Sequence, residues 1–280
     1  MRASAYYRPW FGRAEEQMDV ARPGPIRLLA DLLDHDTPPW DEDSVPPLGH
    51  WLYFLPSARQ SLLDIDGHPQ RGDFLPPIAL PRRMWASGRI NFFSAVPFGA
   101  NIRRRSKIKM IQDKSGRSGK LTFVTLLHEV MEGSEVLLQE EQDVVFREAA
   151  SPAGASPVSA VGPVEPDGVG RDHAFDARQL FRYSALTFNS HRIHYDRTYA
   201  TEVESYPDLV VQGPYMAMLL MDHFLRTFPR TAVREFRFRA VAASYSGETI
   251  RLLLNGSSGE FELTAIGADG RPRMRAKINV

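Results

Sequence analysis

Residues 213–228 read GPYMAMLLMDHFLRTF, and the fold turns on how that run is interpreted. Gly213 opens it. Pro214 suits the first position of a helix, where its fixed φ is already helical and its missing N–H would have had no partner. Met216, Met218, Leu219, Leu220 and Met221 leave almost no polar face, so the run predicts a buried helix with methionines in the core. After Pro229 come runs of strand composition at 233–244 (VREFRFRAVAAS), 248–256 (ETIRLLLNG), 261–267 (FELTAIG) and 271–280 (RPRMRAKINV). GSSG (256–259) and GADG (267–270) have the composition of hairpin turns. Short strands joined by tight turns make an antiparallel sheet, so this half predicts a sheet wrapped around a buried helix.

The first half repeats that order more loosely. Ile26 to Asp34 is helical in pattern, and Gly49 leads the apolar run HWLYFL (50–55) after a proline-rich stretch. Strand-like runs follow at 88–96, 105–116, 120–131 and 134–148. The Gly49-led run sits where the Gly213-led run sits in the second half, which predicts a diverged duplication with one long helix in each copy. Between the halves, residues 149–170 (AASPAGASPVSAVGPVEPDGVG) have almost no large apolar side chain to bury and predict a linker. The expected organisation is a first domain over 1–148, the linker over 149–170 and a second domain over 171–280.

The composition is globular, with 43% hydrophobic and 24% charged residues. Lys plus Arg and Asp plus Glu are 34 each, so no net charge draws the chain to nucleic acid or to a membrane surface. There is no cysteine, which excludes disulfides, thiolate metal ligands and a thiol nucleophile. No apolar run approaches the ~18–20 residues needed to cross a bilayer, and the first residues lack the apolar core of a secretory signal. The expectation is a cytoplasmic protein.

The chemistry concentrates in residues 182–196, RYSALTFNSHRIHYD. His191, His194, Asn189, Arg192 and Asp196 crowd one short stretch. Two histidines three apart are potential metal ligands, but no HExxH spacing supports a metal, and none is expected. SGRSGK (115–120) lacks the spacing of a phosphate loop and reads as a hairpin turn. Arg103, Arg104, Arg105, Lys107 and Lys109 form a basic cluster: a solvated face, or a site for the phosphate groups of a ligand. His128, in a strand-like run, reads as structural. No GxSxG is present, which argues against an α/β-hydrolase.

The segment resembles the signature of the MaoC-like, R-specific enoyl-CoA hydratases: Ser-Gly-Asp, any residue, Asn-Pro, an aliphatic residue, then His. Those places hold Thr187, Phe188, Asn189, Ser190, His191, Arg192, Ile193 and His194. The family's catalytic histidine matches His194, whereas its catalytic aspartate matches Asn189, a departure. Leu209 to Pro214 resembles the family's His-Gly approach to its central helix, with Gln212 for the histidine. With 80–90, 114–130 and 140–148, the segment looks like the two-domain subfamily of hydroxyacyl-thioester dehydratases and mesaconyl-CoA and itaconyl-CoA hydratases. The resemblance implies an α+β double hot-dog fold, each half a long helix wrapped by an antiparallel sheet, with a catalytically degenerate first half that helps hold the acyl-CoA. Asp34 stands where that half's motif would begin, and no histidine follows at the right distance.

Adding water to an α,β-unsaturated thioester puts negative charge on the carbonyl oxygen, which wants donors held in place beforehand. A helix N-terminus supplies them, and Gly213, with no side chain, lets the substrate approach. Since Pro214 has no N–H, the donors fall to Gly213, Tyr215 or a neighbour. A histidine suits the proton transfer, and Asn189 can orient the water. His191 or Asp196 could orient His194. The catalytic candidates are therefore His194, Asn189 and Gly213, and the substrate-binding candidates His191, Arg192, Tyr195, Gln212, Tyr215, Arg103 and Arg105. A substrate carboxylate would need an arginine: Arg192, Arg82, Arg83 or Arg89. The expected substrate is a short dicarboxylic enoyl-CoA such as an itaconyl or mesaconyl thioester, with a straight-chain 3-hydroxyacyl thioester as the rival. No cofactor is expected, coenzyme A being part of the substrate, and a homodimer is the expected assembly. A hot-dog thioesterase and a non-catalytic acyl-binding module are the readings from other classes.

Overall fold

Strand ladders dominate the computed structural model, which describes residues 5–116, 119–148, 162–163 and 167–280. In chain order the elements are β1 (Ala14–Val20), α1 (Pro23–Leu32), β2 (Ser44–Val45), β3 (Arg82–Phe92), β4 (Val96–Pro97), β5 (Asn101–Gly116), β6 (Gly119–Glu132) and β7 (Glu135–Arg147). The second half follows with β8 (Val169–Ala174), α2 (Ala177–Leu186), α3 (Gly213–Thr227), β9 (Glu235–Ala240), β10 (Thr249–Ser257), β11 (Glu260–Gly267) and β12 (Pro272–Asn279). Of the expected linker, 149–161 and 164–166 lie outside the described residues, as does the 117–118 tip of the β5–β6 hairpin, and β8 already begins at Val169.

Ten strands form one sheet in the order β1-β5-β6-β7-β3-β9-β12-β11-β10-β8, with every ladder antiparallel. The halves meet where Ser87–Asn91 of β3 pairs with Glu235–Arg239 of β9. Alternation sets the faces: Phe236, Phe238, Met274, Ala276 and Ile278 are buried beneath the sheet, and Arg237, Arg239, Arg275 and Lys277 lie on the other side. α3 is the buried helix, with Tyr215 to Leu225 all buried, against β3, β10, β11 and β12. Gly213 is its first residue, so Pro214 stands one position later than the sequence suggests.

The first half departs from expectation. Its Gly49-led run forms only a single 3-10 turn, Gly49–Leu52, in place of a second long helix. The apolar run is short and bounded by Pro46-Pro47 and Pro56, and the residue before a proline is driven out of helical conformation. The half's only α-helix among the described residues, α1, packs on α2 and buries Ile26, Leu29, Ala30 and Leu32. Instead of a helix, the segment around Phe74 to Leu80 covers the inner face of β5–β7. There Ile78 meets Ile108, Ile111, Val124, Leu126, Val144 and Phe146 in a satellite core. The main core runs across both halves, so the two expected lobes share one interior.

Candidate active site

α2 delivers the first site residue. Asp176 and Gln179 form a capping box at its start. At its end the N–H of Phe188 donates to the carbonyl of Ala185 (3.3 Å) and that of Asn189 to the carbonyl of Ser184 (2.8 Å), a Schellman turn. Such a turn needs positive φ at its exit, and Phe188 takes φ 48. The position is the one at which the resembled signature carries glycine, and a side chain there costs about 1 kcal/mol. Asn189 then makes an Asx turn, its Oδ1 accepting from the N–H of His191 at 3.0 Å. Its Nδ2 makes no hydrogen bond among the described residues, so the amide offers the cavity a donor. The sequence suggests instead that it orients the water by accepting a hydrogen bond from it.

His194 closes the short 3-10 turn Arg192–His194 and is 7% exposed. Its Nδ1 lies 2.7 Å from the carbonyl oxygen of Val210. A carbonyl only accepts, so Nδ1 carries the proton and Nε2 keeps its lone pair. Val210 therefore fixes the tautomer. Neither sequence candidate does: Asp196 holds Arg192 and the N–H of Tyr199, and the His191 ring meets His194 only edge-on, with centroids 5.2 Å apart. Burial pulls the His194 pKa down to about 4, so the imidazole is neutral at physiological pH.

A loop of the first half braces this stretch. The N–H of Arg192 donates to the carbonyl of Asp66 (2.9 Å), and the Ser190 hydroxyl donates to the carbonyl of Gly67. Gly67 has φ 90, and a Cβ there would collide with the Ser190 carbonyl, so only glycine fits. His68 donates through Nδ1 to Asp66 Oδ2 (3.0 Å) and lays its ring 4.1 Å from that of His191. Burial, with nearby Arg83, holds the His68 pKa down to about 4, and burial beside His68 and His194 also holds His191 well below the ordinary histidine value. Ligand-type atoms of Asp66, His68 and His191 lie within 4.8 Å of one another. Asp66 is already committed to His68 and Arg83 adds a cation nearby, so Asp66 and His68 form a hydrogen-bonded brace against which the His191 ring rests. Sequence reasoning missed all three of Asp66, Gly67 and His68. Their signal was DIDGHP (64–69), a turn composition with an embedded histidine.

These parts meet around a cavity of about 470 Å³ lined by Asn189, His191, His194, Gln212, Gly213 and, from the first half, His68 and Arg83. Leu75, Trp85, Leu126, Val144 and Met216 are among its apolar walls, and the volume is in the range of small-ligand sites. α3 begins at this wall, and its first N–H groups have no carbonyl within the helix to bond.

Other expected residues lie elsewhere. Arg192 is not in the lining: its guanidinium holds Asp196 (2.7 Å) and the Ile65 carbonyl (3.1 Å). Tyr195 is exposed and donates to the Ser190 carbonyl. Tyr215 is fully buried against Tyr183, outside the lining. Gln212 reaches the wall, but its Nε2 is spent on the Leu180 carbonyl and the Ser184 hydroxyl (2.9 Å each), tying α3 to α2. Arg103 and Arg105 point off the outer face of β5, Arg103 toward Glu16, because strand alternation turns them away from the cavity side. His128 is buried between the Ser106 hydroxyl and Gln142.

Asn189→Ala is expected to lower kcat about 10–100-fold, the scale of one lost hydrogen bond at a reacting centre, with KM nearly unchanged. Asn189→Asp keeps an oxygen for the Asx turn but loses the donor, and a carboxylate would raise the His194 pKa, so it should not restore the rate. An unchanged kcat in Asn189→Ala would remove this residue from the chemistry.

Solved structures share the fold at low identity. A MaoC-like dehydratase superposes with TM-score 0.73 at 16% identity over 99% of both chains. HtdX of Mycobacterium tuberculosis superposes with TM-score 0.69 at 17% identity, covering 96% of this chain and 100% of that one. A further M. tuberculosis protein whose structure is a double hot-dog gives TM-score 0.57 at 12% identity over 96% of each chain. The architecture is thus the double hot-dog of the α+β class. The sequence model of hydroxyacyl-thioester dehydratase type 2 matches residues 48–246. Mesaconyl-C(4)-CoA hydratase of Chloroflexus aurantiacus is 42% identical over 279 residues, 99% of each chain. The mitochondrial hydroxyacyl-thioester dehydratase type 2 of Schizosaccharomyces pombe is 24% identical over 248 residues, 76% of this chain and 78% of that one. The chain belongs to the hydroxyacyl-thioester dehydratase type 2 family, and it is a hydro-lyase acting on acyl thioesters. No helix among the described residues is long and apolar enough to cross a membrane.

Proposed function

We propose that the protein adds water to the double bond of a short dicarboxylic enoyl-CoA, of which mesaconyl-C4-CoA is the test substrate, and removes it in the reverse direction. The observation that carries the chemistry is His194, buried, neutral and held by Val210 so that Nε2 is left basic at the cavity wall. In hydration, Nε2 takes a proton from water as the hydroxyl bonds to Cβ, and the same proton passes to Cα. The thioester carbonyl oxygen, which gains charge as Cβ is attacked, rests against the first N–H groups of α3 at Gly213. Asn189 Nδ2 donates to the water or hydroxyl oxygen. The acyl identity is supported by the 42% identical relative. The family and the yeast relatives support dehydration of a 3-hydroxyacyl thioester as the second reading.

The adenine nucleotide end of coenzyme A belongs to the same proposal. A groove of about 1810 Å³ over the outer sheet face shares Met84, Arg147, Tyr206, Ala240 and Val241 with the cavity. In it, Arg239 and Arg275 stand directly opposite each other and form no ion pair among the described residues. Like charges so placed disfavour the sheet, and phosphates would relieve them. A homodimer, a cytoplasmic location and independence from any metal or cofactor complete the reading.

The test follows loss of the conjugated double bond with mesaconyl-C4-CoA and crotonyl-CoA from pH 3.5 to 9, with a thiol reagent to detect hydrolysis. Protonating Nε2 blocks the step, so kcat/KM should stay level above about pH 5 and fall as pH drops through about 4. EDTA should leave the rate unchanged. Release of free thiol would make the protein a thioesterase, and a kcat/KM that stays level down to pH 3.5 would take His194 out of the role given to it.

A further inference from the structure

Three arginines line the cavity: Arg83, Arg147 and Arg273. Arg273 is neutralised by Glu248 at 2.7 Å and Asp269 at 3.0 Å. Arg147 donates to the Tyr206 hydroxyl at 3.2 Å. The Arg83 side chain makes no hydrogen bond or ion pair among the described residues. The other arginines that the sequence offered for a substrate carboxylate are occupied outside the lining. Arg82 is bound to Glu204, Arg89 to Glu141 and Asp143 on the outer sheet face, and Arg192 to Asp196.

Arg83 comes from β3, on the cavity wall that also carries Met84 and Trp85. The carboxylate whose field reaches it most strongly is Asp66, and Asp66 already accepts both the ring N–H and the backbone N–H of His68. Burial holds the Arg83 guanidinium down to about 10, below the usual arginine range, the sign of a cation without a partner in a poorly solvated place. A guanidinium is a planar fork of donors that matches a carboxylate in two parallel hydrogen bonds. Left facing an apolar acyl group, it would keep those donors unpaired in a dry cavity, which disfavours the complex.

We propose that Arg83 binds the free carboxylate of the acyl group and thereby selects dicarboxylic acyl thioesters over neutral ones. The inference rests on the enoyl-thioester reading for its substrate, but binding of saturated thioesters tests it without any hydration. Succinyl-CoA and butyryl-CoA differ at the far end of the acyl chain, where one has a carboxylate, and neither can be hydrated. Titration calorimetry of the whole chain should show succinyl-CoA bound about 30-fold or more tightly than butyryl-CoA, the lower scale for losing one partner of a buried charge pair. In Arg83→Met the ratio should fall to within about threefold of one. Arg83→Lys should keep a reduced preference, since a lysine is a point charge without the fork, and it serves if the methionine variant does not fold. Equal affinities in the wild type, or an undiminished preference in Arg83→Met, would overturn the proposal. A preference for succinyl-CoA that Arg83→Met abolishes, in a protein that hydrates no enoyl-CoA, would uphold Arg83 as the carboxylate anchor and refute the proposed hydration.

Discussion

His194→Ala will lower kcat about 10²–10⁴-fold, the usual worth of a positioned general acid–base, with a far smaller change in KM. The side chain combines a fixed tautomer with a free basic nitrogen at the cavity wall; His68 does so too through Asp66, but His194 is the one of the two that matches the histidine of the resembled signature. Its Nδ1–H is used by Val210, its ring is buried, and its low pKa keeps Nε2 unprotonated above about pH 5. Alanine removes the proton carrier and leaves the α3 N-terminus and Asn189 untouched, so substrate should still bind. The Val210 carbonyl loses a donor, a stability cost of about 1–3 kcal/mol if it is left unpaired; thermal unfolding of the variant must therefore be measured beside its kinetics. A folded His194→Ala enzyme with full activity would mean that the chemistry lies elsewhere in the molecule.

Asp222→Ala should destabilise the fold by about 3–5 kcal/mol, the scale for stranding buried charges. Asp222 is 2% exposed within α3. It receives His35 at 2.6 Å, Arg171 at 2.7 Å and Arg226 at 2.9 Å, drawing α1's exit, β8 and α3 onto one carboxylate. Burial alone would raise its pKa, but His35, Arg171 and Arg226 outweigh burial and hold it below the ordinary aspartate value. At roughly 2–4 °C per kcal/mol for a chain of this size class, the melting temperature should fall by about 6–20 °C. The pH dependence has a definite sign. A carboxylate whose folded pKa is depressed stabilises fully above its unfolded value of ~3.9 and loses that contribution as pH falls through its lower folded value. The gap between wild type and variant should therefore narrow below about pH 4. A melting temperature within 2 °C of wild type, by any estimate well under one such pair, would show the cluster to be replaceable.

The second half was largely legible because its pattern is local. The apolar run after Gly213 and the turns GSSG and GADG are enough to give α3 and β9–β12, and the His194 match rests on contiguous residues. What escaped was set by distance along the chain. Nothing next to His194 in sequence announces that Val210 will hold its ring. The brace from Asp66 to His68 depends on a loop from the other half reaching Ser190 and Arg192. The same cause misassigned Arg192: as a string it is the arginine nearest the histidine, but a partner four residues on claims it. The second long helix failed for a local reason, since prolines on both sides of HWLYFL left no room to propagate one. Arg103 and Arg105 do share one face of their strand, but alternation makes it the face turned away from the cavity.

The ladder between β3 and β9 has a consequence for any attempt to take the protein apart. Cut at residues 149–166, each piece would lose a neighbouring strand and show a bare row of main-chain donors and acceptors, Ser87–Asn91 on one and Glu235–Arg239 on the other. Exposed edges of this kind recruit further strands. A gene fragment encoding either piece alone should yield inclusion bodies, while the two fragments produced in one cell have complementary edges and can reassemble as a split enzyme.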